Sequence, residues 1–194
     1  MTIFRDRYLG QHFHLPLLIY DVGSQDVNGS YKGIFANSLW RYRGVDMAPG
    51  KNVDIVLRHP YRFRTIPSRS ADVVISGQAF EHIDYFWITM LEITRVLKPS
   101  GLCCILAPSA GPEHRYPKDC WRFFPDGMRA AAAFACLEVV EASTQWNDLG
   151  YEDGSDQWHD TMLVARKPDH GRWGNFLCGF YCWIRHLALT FRKP

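Results

Sequence analysis

Apolar runs in this chain stop repeatedly at a polar residue or a glycine, and that rhythm predicts the elements. Leu15 to Val22 ends at Gly23, Trp40 to Asp46 precedes the Pro49-Gly50 turn, and Val53 to Leu57 ends at Arg58. Ala71 to Ser76 is apolar at nearly every position, as expected of a central strand covered on both faces. A fifth run spans Gly101 to Leu106, and two late runs, Leu137 to Ala142 and Thr161 to Ala165, suggest an edge hairpin. Between the fourth and fifth runs, Phe86, Met90, Ile93 and Leu97 recur at helical spacing, so Asp84 to Leu97 is predicted as a helix ended by Lys98-Pro99. A short helical stretch over Ser30 to Asn37, a turn at Asn28-Gly29 and a helix over Asp126 to Phe134 capped by Asp126 complete the reading.

Strand and helix alternate to about residue 134 and two strands follow. This is the order of an α/β fold with a mainly parallel sheet and right-handed crossovers. In such sheets a ligand lies beyond the carboxyl ends of the strands. The rule selects Gly23 to Asn28, Asp46-Met47, Arg58-His59, Gly77 to His82 and Pro108 to Asp119. Gly23 allows a tight turn at the tip of the first strand, and Asp46, about two dozen residues on, is placed to accept ribose hydroxyls. Gln25 stands where a pyrophosphate-binding loop needs its second glycine, and no GK[ST] loop occurs. A nucleoside cofactor without a pyrophosphate fits better, and S-adenosylmethionine is one.

Four stretches carry a resemblance: 19–24 (IYDVGS), 42–47 (YRGVDM), 70–83 (SADVVISGQAFEHI) and 90–108 (MLEITRVLKPSGLCCILAP). Together they resemble class I SAM-dependent methyltransferases, in particular small-molecule enzymes of the methyltransferase type 11 kind. The resemblance implies a Rossmann-like three-layer sandwich, with a seven-stranded, mostly parallel sheet whose last strand is antiparallel. It also implies roles. Asp21, Gly23 and Ser24 would shape the cofactor's methionine pocket, Asp46 would bind the ribose and Met47 would lie beside adenine. Ser76, Gly77, Gln78 and Glu81 would line the pocket after the fourth strand, with Glu81 and His82 forming a Glu-His pair. Arg58-His59 stands where relatives carry an acid that reaches the adenine amine.

The segment from Pro112 to Phe123 (PEHRYPKDCWRF) follows the fifth strand and is dense in polar side chains. Methyl transfer to a hydroxyl needs a proton acceptor, and histidine serves near neutral pH. His114 is therefore the candidate base or substrate contact and Asp119 its orienter, with an Asp119–Arg122 pair that anchors the loop as the structural alternative. The expected reaction is methylation of a hydroxyl on a sugar or small metabolite. The alternatives are a nitrogen, carbon or macromolecular acceptor, or a non-catalytic interaction protein.

Composition narrows this further. The net charge of +2 is too small to argue for nucleic acid, which is not the expected partner. The six cysteines form no CxxC pair, so neither a disulfide framework nor a zinc site is expected. Glu152, Asp153 and Asp156 in a second polar loop, Trp146 to His159, lack calcium-loop spacing, so no metal is expected there. The polar start, Met1 to His14, shows no signal peptide and points to a cytoplasmic enzyme. The expected division is a domain over 1–168 and an apolar, aromatic tail over 169–194. Arg185, His186 and two glycines make the tail a poor membrane span; packing, a homodimer surface or peripheral membrane contact are its open alternatives.

Overall fold

The computed structural model describes residues 1–191 except Asn28 and Asp153, and of Arg172 and Phe191 it describes the backbone. The expected Asn28-Gly29 turn, the acid Asp153 and the last three tail residues therefore lie outside the described residues. Seven strands form one sheet: β1 Leu17–Val22, β2 Trp40–Asp46, β3 Ile55–Val56, β4 Ala71–Gly77, β5 Leu97–Ala107, β6 Glu138–Thr144 and β7 Thr161–Arg166. Their order is β3-β2-β1-β4-β5-β7-β6. β1 pairs in parallel with both β2 and β4, and β7 runs antiparallel to both of its neighbours. This is the expected Rossmann-like arrangement. The switch between β1 and β4 opens a crevice at their carboxyl ends.

The helices are α1 Thr2–Phe4, α2 Phe86–Val96, α3 Pro125–Phe134 and α4 Gly171–Phe191. One face of the sheet presents Tyr20, Val74, Cys103, Ile105, Leu163 and Ala165 to Met90 and Ile93 of α2, Met128 and Ala132 of α3, and Cys182 of α4. The other face presents Ile19, Val73, Ile75, Cys104 and Val164 to Phe4, Leu9, Phe35 and Trp40. The alternation along each strand is the period-two pattern of a sheet covered on both sides.

The second face is covered unusually. The first twelve residues continue from α1 through a π-helical stretch, Arg5–Leu9, and a 3-10 turn, Gly10–His12. Arg7 and Tyr8 of this segment both bond Glu141 on β6, the former at 2.7 Å. The helix expected over Ser30 to Asn37 is a single 3-10 turn, Tyr31–Gly33, with Ser30 Oγ accepting from Lys32 N at 3.1 Å. Gly33, Asn37 and Ser38 interrupt the segment with residues that favour turns over helix. Asp126 does not cap α3: Phe124 is the N-cap, Pro125 takes the first helical position, and Asp126 sits in the first turn, paired with Arg129 at 3.3 Å.

α4 packs on α2. Arg185 donates to Phe134 O at 2.5 Å and stacks over the Phe134 ring at 4.8 Å. Its outer face leaves Trp173 80% and Leu177 63% exposed. Among the described residues no helix is long and apolar enough to cross a membrane.

Candidate active site

Asp21 is buried at the end of β1 and accepts a hydrogen bond from the Tyr42 hydroxyl, which itself accepts one from Asn52 Nδ2 at 3.1 Å. Burial pushes the Asp21 carboxyl up to about 7, the nearby charge of Asp46 adds to this, and the Tyr42 bond opposes it. Gly23 has a φ of +79°, and a Cβ there would lie 2.3 Å from the Ala79 Cβ. The loop after β1 thus touches the loop after β4 at a point only glycine fits. Ser24 is turned inward: its hydroxyl donates to Asn52 O at 3.2 Å, and Asn52 Nδ2 donates back to Ser24 O at 3.0 Å. The Gln25 side chain lies against Gly50.

Asp46 ends β2 and organises two loops. Its Oδ2 accepts from Gln25 N at 3.0 Å, and its Oδ1 accepts from Met47 N at 2.7 Å. Met47 beside it is 45% exposed. Ser76 donates to Val22 O at 2.7 Å and so ties β4 to β1. Gly77 is covered by the Tyr31 ring. Gln78 adopts a φ of +55° and donates through Nε2 to Asp160 Oδ2 at 2.7 Å. Asp21, Gly23, Asp46, Met47, Gly77 and Gln78 therefore line the ends of three adjacent strands. Arg58 and His59 lie exposed after β3, where the imidazole Nδ1 accepts from Tyr61 N at 3.2 Å.

A second group faces this one. Glu81, on the 3-10 turn Phe80–His82, is fully buried, and neither carboxylate oxygen has a hydrogen-bond partner. Burial raises its carboxyl to about 7; Asp160 and Asp119 push the same way, and Arg122 pulls against them. His82 Nε2 is 3.6 Å from Glu81 Oε1 and His114 Nε2 is 4.0 Å from the same oxygen. The His82 Nδ1 is bonded to the Lys118 carbonyl, so that nitrogen carries the proton and the Nε2 lone pair is left facing Glu81. The three donor atoms of Glu81, His82 and His114 lie within 4.8 Å of one another, which also suits a divalent cation.

The loop after β5 fixes His114. Its backbone N–H donates to Asp119 Oδ2 at 2.8 Å, and its Nδ1 lies 3.4 Å from that oxygen. The ring packs edge-on to His82 at 4.9 Å and against Trp158 at 4.5 Å. Asp119 is gripped by both ends of the Arg122 guanidinium, at 2.6 and 2.9 Å, which holds its carboxyl well below the usual carboxylate range. Arg122 also donates to Pro112 O at 2.8 Å, and Cys120 N donates to Glu81 O at 2.7 Å, fastening the loop to the turn after β4. Asp119 thus anchors the loop through Arg122 and the His114 backbone, while the His114 Nδ1 itself has no hydrogen-bond partner. In the second polar loop, Asp156 is committed to the backbone N–H groups of Leu149, Gly150 and Tyr151.

Two residues of the cleft, Tyr31 and Asp160, escaped the sequence reading, and Trp158 lies in the second polar loop, Trp146 to His159, without being singled out there. Tyr31 covers Gly77, Trp158 supports His114, and Asp160 has a buried oxygen without a partner. Trp158 and Asp160 precede β7. Because β7 is antiparallel, its start lies at the same edge as the carboxyl ends of β4 and β5, a signal available in the strand order. Gly111 makes room for Trp158: a Cβ there would come within 2.2 Å of the ring.

Comparison with known proteins converges on one fold. A family model described as a methyltransferase domain matches residues 28–105. Among solved structures, the Burkholderia thailandensis 1,6-didemethyltoxoflavin-N1-methyltransferase is similar with a TM-score of 0.64 at 15% identity, over 87% of this chain and 78% of that one. A SAM-dependent methyltransferase from Aquifex aeolicus is similar with a TM-score of 0.57 at 12% identity, over 86% and 91%. The [4+2]-cyclase SpnF is similar with a TM-score of 0.61 at 14% identity, over 79% and 76%. No curated protein sequence matches the chain.

Proposed function

Starting from a chain that has the class I SAM-dependent methyltransferase fold, we propose that it is an enzyme that moves a methyl group from S-adenosylmethionine to a hydroxyl of a small metabolite, with sugars the first class to test. One observation carries the reading. A buried carboxylate and two imidazoles converge within 4.0 Å just past β4, facing the strand-end groove of Asp21, Gly23 and Asp46. That is a cofactor groove beside a proton-accepting pocket.

The groove fits the cofactor. Gly23 leaves backbone where a side chain would collide, Met47 offers an exposed apolar surface for adenine, and Asp46 stands at the ribose position. The buried carboxyl of Asp21 suits the ammonium of the methionine moiety. Ser24, Ser76, Gly77 and Gln78 shape the same wall. When bound, S-adenosylmethionine supplies an activated methyl that needs no metal to react. The chain's residues then hold the acceptor in line and exclude water. His114 accepts the hydroxyl proton at Nε2, and the resulting imidazolium is stabilised by Asp119, 3.4 Å from Nδ1, and by Glu81 when that carboxyl is ionised. A cytoplasmic location belongs to the same reading, supported by six unpaired thiols. So do the 1–168 catalytic domain and a tail whose exposed aromatic face serves a homodimer or a membrane surface.

A nitrogen acceptor is the second reading, favoured by the similarity to an N-methyltransferase. The likeness to a cyclase keeps a non-methylating role in view.

The test is calorimetric titration with S-adenosylmethionine and S-adenosylhomocysteine, beside Asp46→Asn and Asp46→Ala proteins checked for folding by circular dichroism. Micromolar binding, weakened at least tenfold by the substitutions, or about 1.4 kcal/mol, supports the reading and opens an acceptor screen. Absence of binding to the intact protein overturns it. Product analysis then separates oxygen from nitrogen methylation.

A further inference from the structure

Far from the cleft, the tail helix meets the turn after α3 through sulfur. Cys178 and Cys182 are four residues apart on α4 and so share one helix face. Cys136 follows α3 and joins them: the three Sγ atoms lie within 4.8 Å of one another, and none is in a disulfide. We propose that Cys136, Cys178 and Cys182 form a binding site for one thiophilic cation, Zn²⁺ or Cu⁺, which fastens α4 to the α3–β6 turn.

The donor set and its spacing suit such an ion. Zinc–thiolate bonds of about 2.3 Å in a tetrahedron place sulfurs roughly 3.8 Å apart, so closing the site needs side-chain shifts of no more than about 1 Å. Zn²⁺ would complete its shell with water, whereas Cu⁺ accepts three thiolates alone.

Two further features support the site. Cys136 adopts a φ of +57° immediately after the C-cap Ala135 of α3. Glycine or asparagine is the usual occupant of that position, and a side chain there costs about 1 kcal/mol. The chain keeps a thiol at a place where glycine would be cheaper. The surroundings also balance the charge. Three thiolates on Zn²⁺ leave one net negative charge, and the buried ammonium of Lys167 interacts electrostatically with Cys178 and Cys182. Lys167 is held in place by Thr94 O at 2.6 Å and Leu97 O at 2.7 Å. Without a cation, burial and the nearby sulfurs push the Cys178 and Cys182 thiols up, so those two stay protonated. Metal binding would release those protons.

The experiment uses the full chain, reduced and stripped with a chelator under anaerobic conditions, and titrated with Co²⁺ or Cd²⁺. Thiolate-to-metal charge-transfer absorption saturating at one equivalent is expected. Cys136→Ser, Cys178→Ser and Cys182→Ser should each remove about a third of the band and weaken Zn²⁺, measured by competition with a chromogenic chelator, at least tenfold. Cys120→Ser should leave the band intact. Binding at Glu81, His82 and His114 gives no thiolate band, so the two donor sets are told apart. Absence of charge transfer in the intact protein overturns the proposal, as does a band that keeps its full intensity after the Cys136→Ser and Cys182→Ser changes in proteins shown to be folded. Neither result bears on cofactor binding.

Discussion

The Tyr31 ring rests on Gly77 so closely that a Cβ at Gly77 would lie 2.4 Å from it. Tyr31 also sits among acids: burial, with Asp21, Asp160 and Glu81 nearby, pushes its phenol far up. Its ring therefore stands between the groove assigned to the cofactor and the pocket assigned to the acceptor. Gly77→Ala is expected to destabilise the protein by roughly 1–3 kcal/mol, the usual cost of overpacking. Tyr31→Ala should relieve most of that cost. A double-mutant cycle by urea denaturation checks this, and a coupling energy below about 0.5 kcal/mol would show the two residues to be independent.

If Asp21 pairs with the cofactor as proposed, affinity should depend on pH. Its folded-state carboxyl titrates near 7, and pairing with the ammonium of the methionine moiety requires the ionised form. Below that value a proton must leave first, so apparent affinity should fall up to tenfold per pH unit; above it the curve should level. The stability effect has its own sign. Between the ordinary aspartate value and about 7 the folded chain binds the extra proton, so stability is greatest at the acid end and declines as pH rises. Asp21→Asn should flatten the affinity curve and reduce the stability slope, leaving the part that Glu81, raised to about 7, contributes with the same sign. Titration calorimetry in buffers of different ionisation heat, with melting curves across the same range, measures both.

Much of this was legible in the chain. Apolar runs located all seven strands, most clearly β4, β5 and β7, which are covered on both faces, and IYDVGS with YRGVD pointed to the groove at β1 and β2. The H-x-x-P-x-D-x-x-R run placed His114 and Asp119 together because Arg122 locks that loop locally. What escaped depends on distant contacts. Nothing near Tyr31 announces that its ring covers Gly77, and Asp160 enters the cleft only through the antiparallel return of β7. Cys136 lies 42 residues before Cys178, so its meeting with α4 has no signature in cysteine spacing.

Asp119 and His114 should separate by kinetics. His114→Ala removes the proposed proton acceptor and should lower kcat 10²- to 10⁴-fold. Asp119→Asn keeps the shape but weakens the Arg122 grip and the hold on the ring. It should lower kcat less and raise the acceptor KM, because the loop loses its anchor. Equal, small effects of both changes on KM alone would assign the pair to substrate binding.

The donor atoms of Glu81, His82 and His114 predict a sensitivity to metals. If His114 works as the base, added Zn²⁺ or Ni²⁺ should inhibit methyl transfer by occupying Nε2, and a chelator should leave the untreated enzyme's rate unchanged. Loss of activity on chelation, restored by a divalent cation, would instead make the ion part of the reaction. Steady-state assays with and without chelator decide this.

The bonds from Arg7 and Tyr8 to Glu141 join the beginning of the chain to a strand made much later. Glu141 follows Arg7 by 134 residues, so these bonds cannot form before β6 has been made. Between them, Phe4 and Leu9 cover the Ile19, Val73 and Cys104 face of the sheet. The contact therefore adds a late, long-range step to the closing of this face.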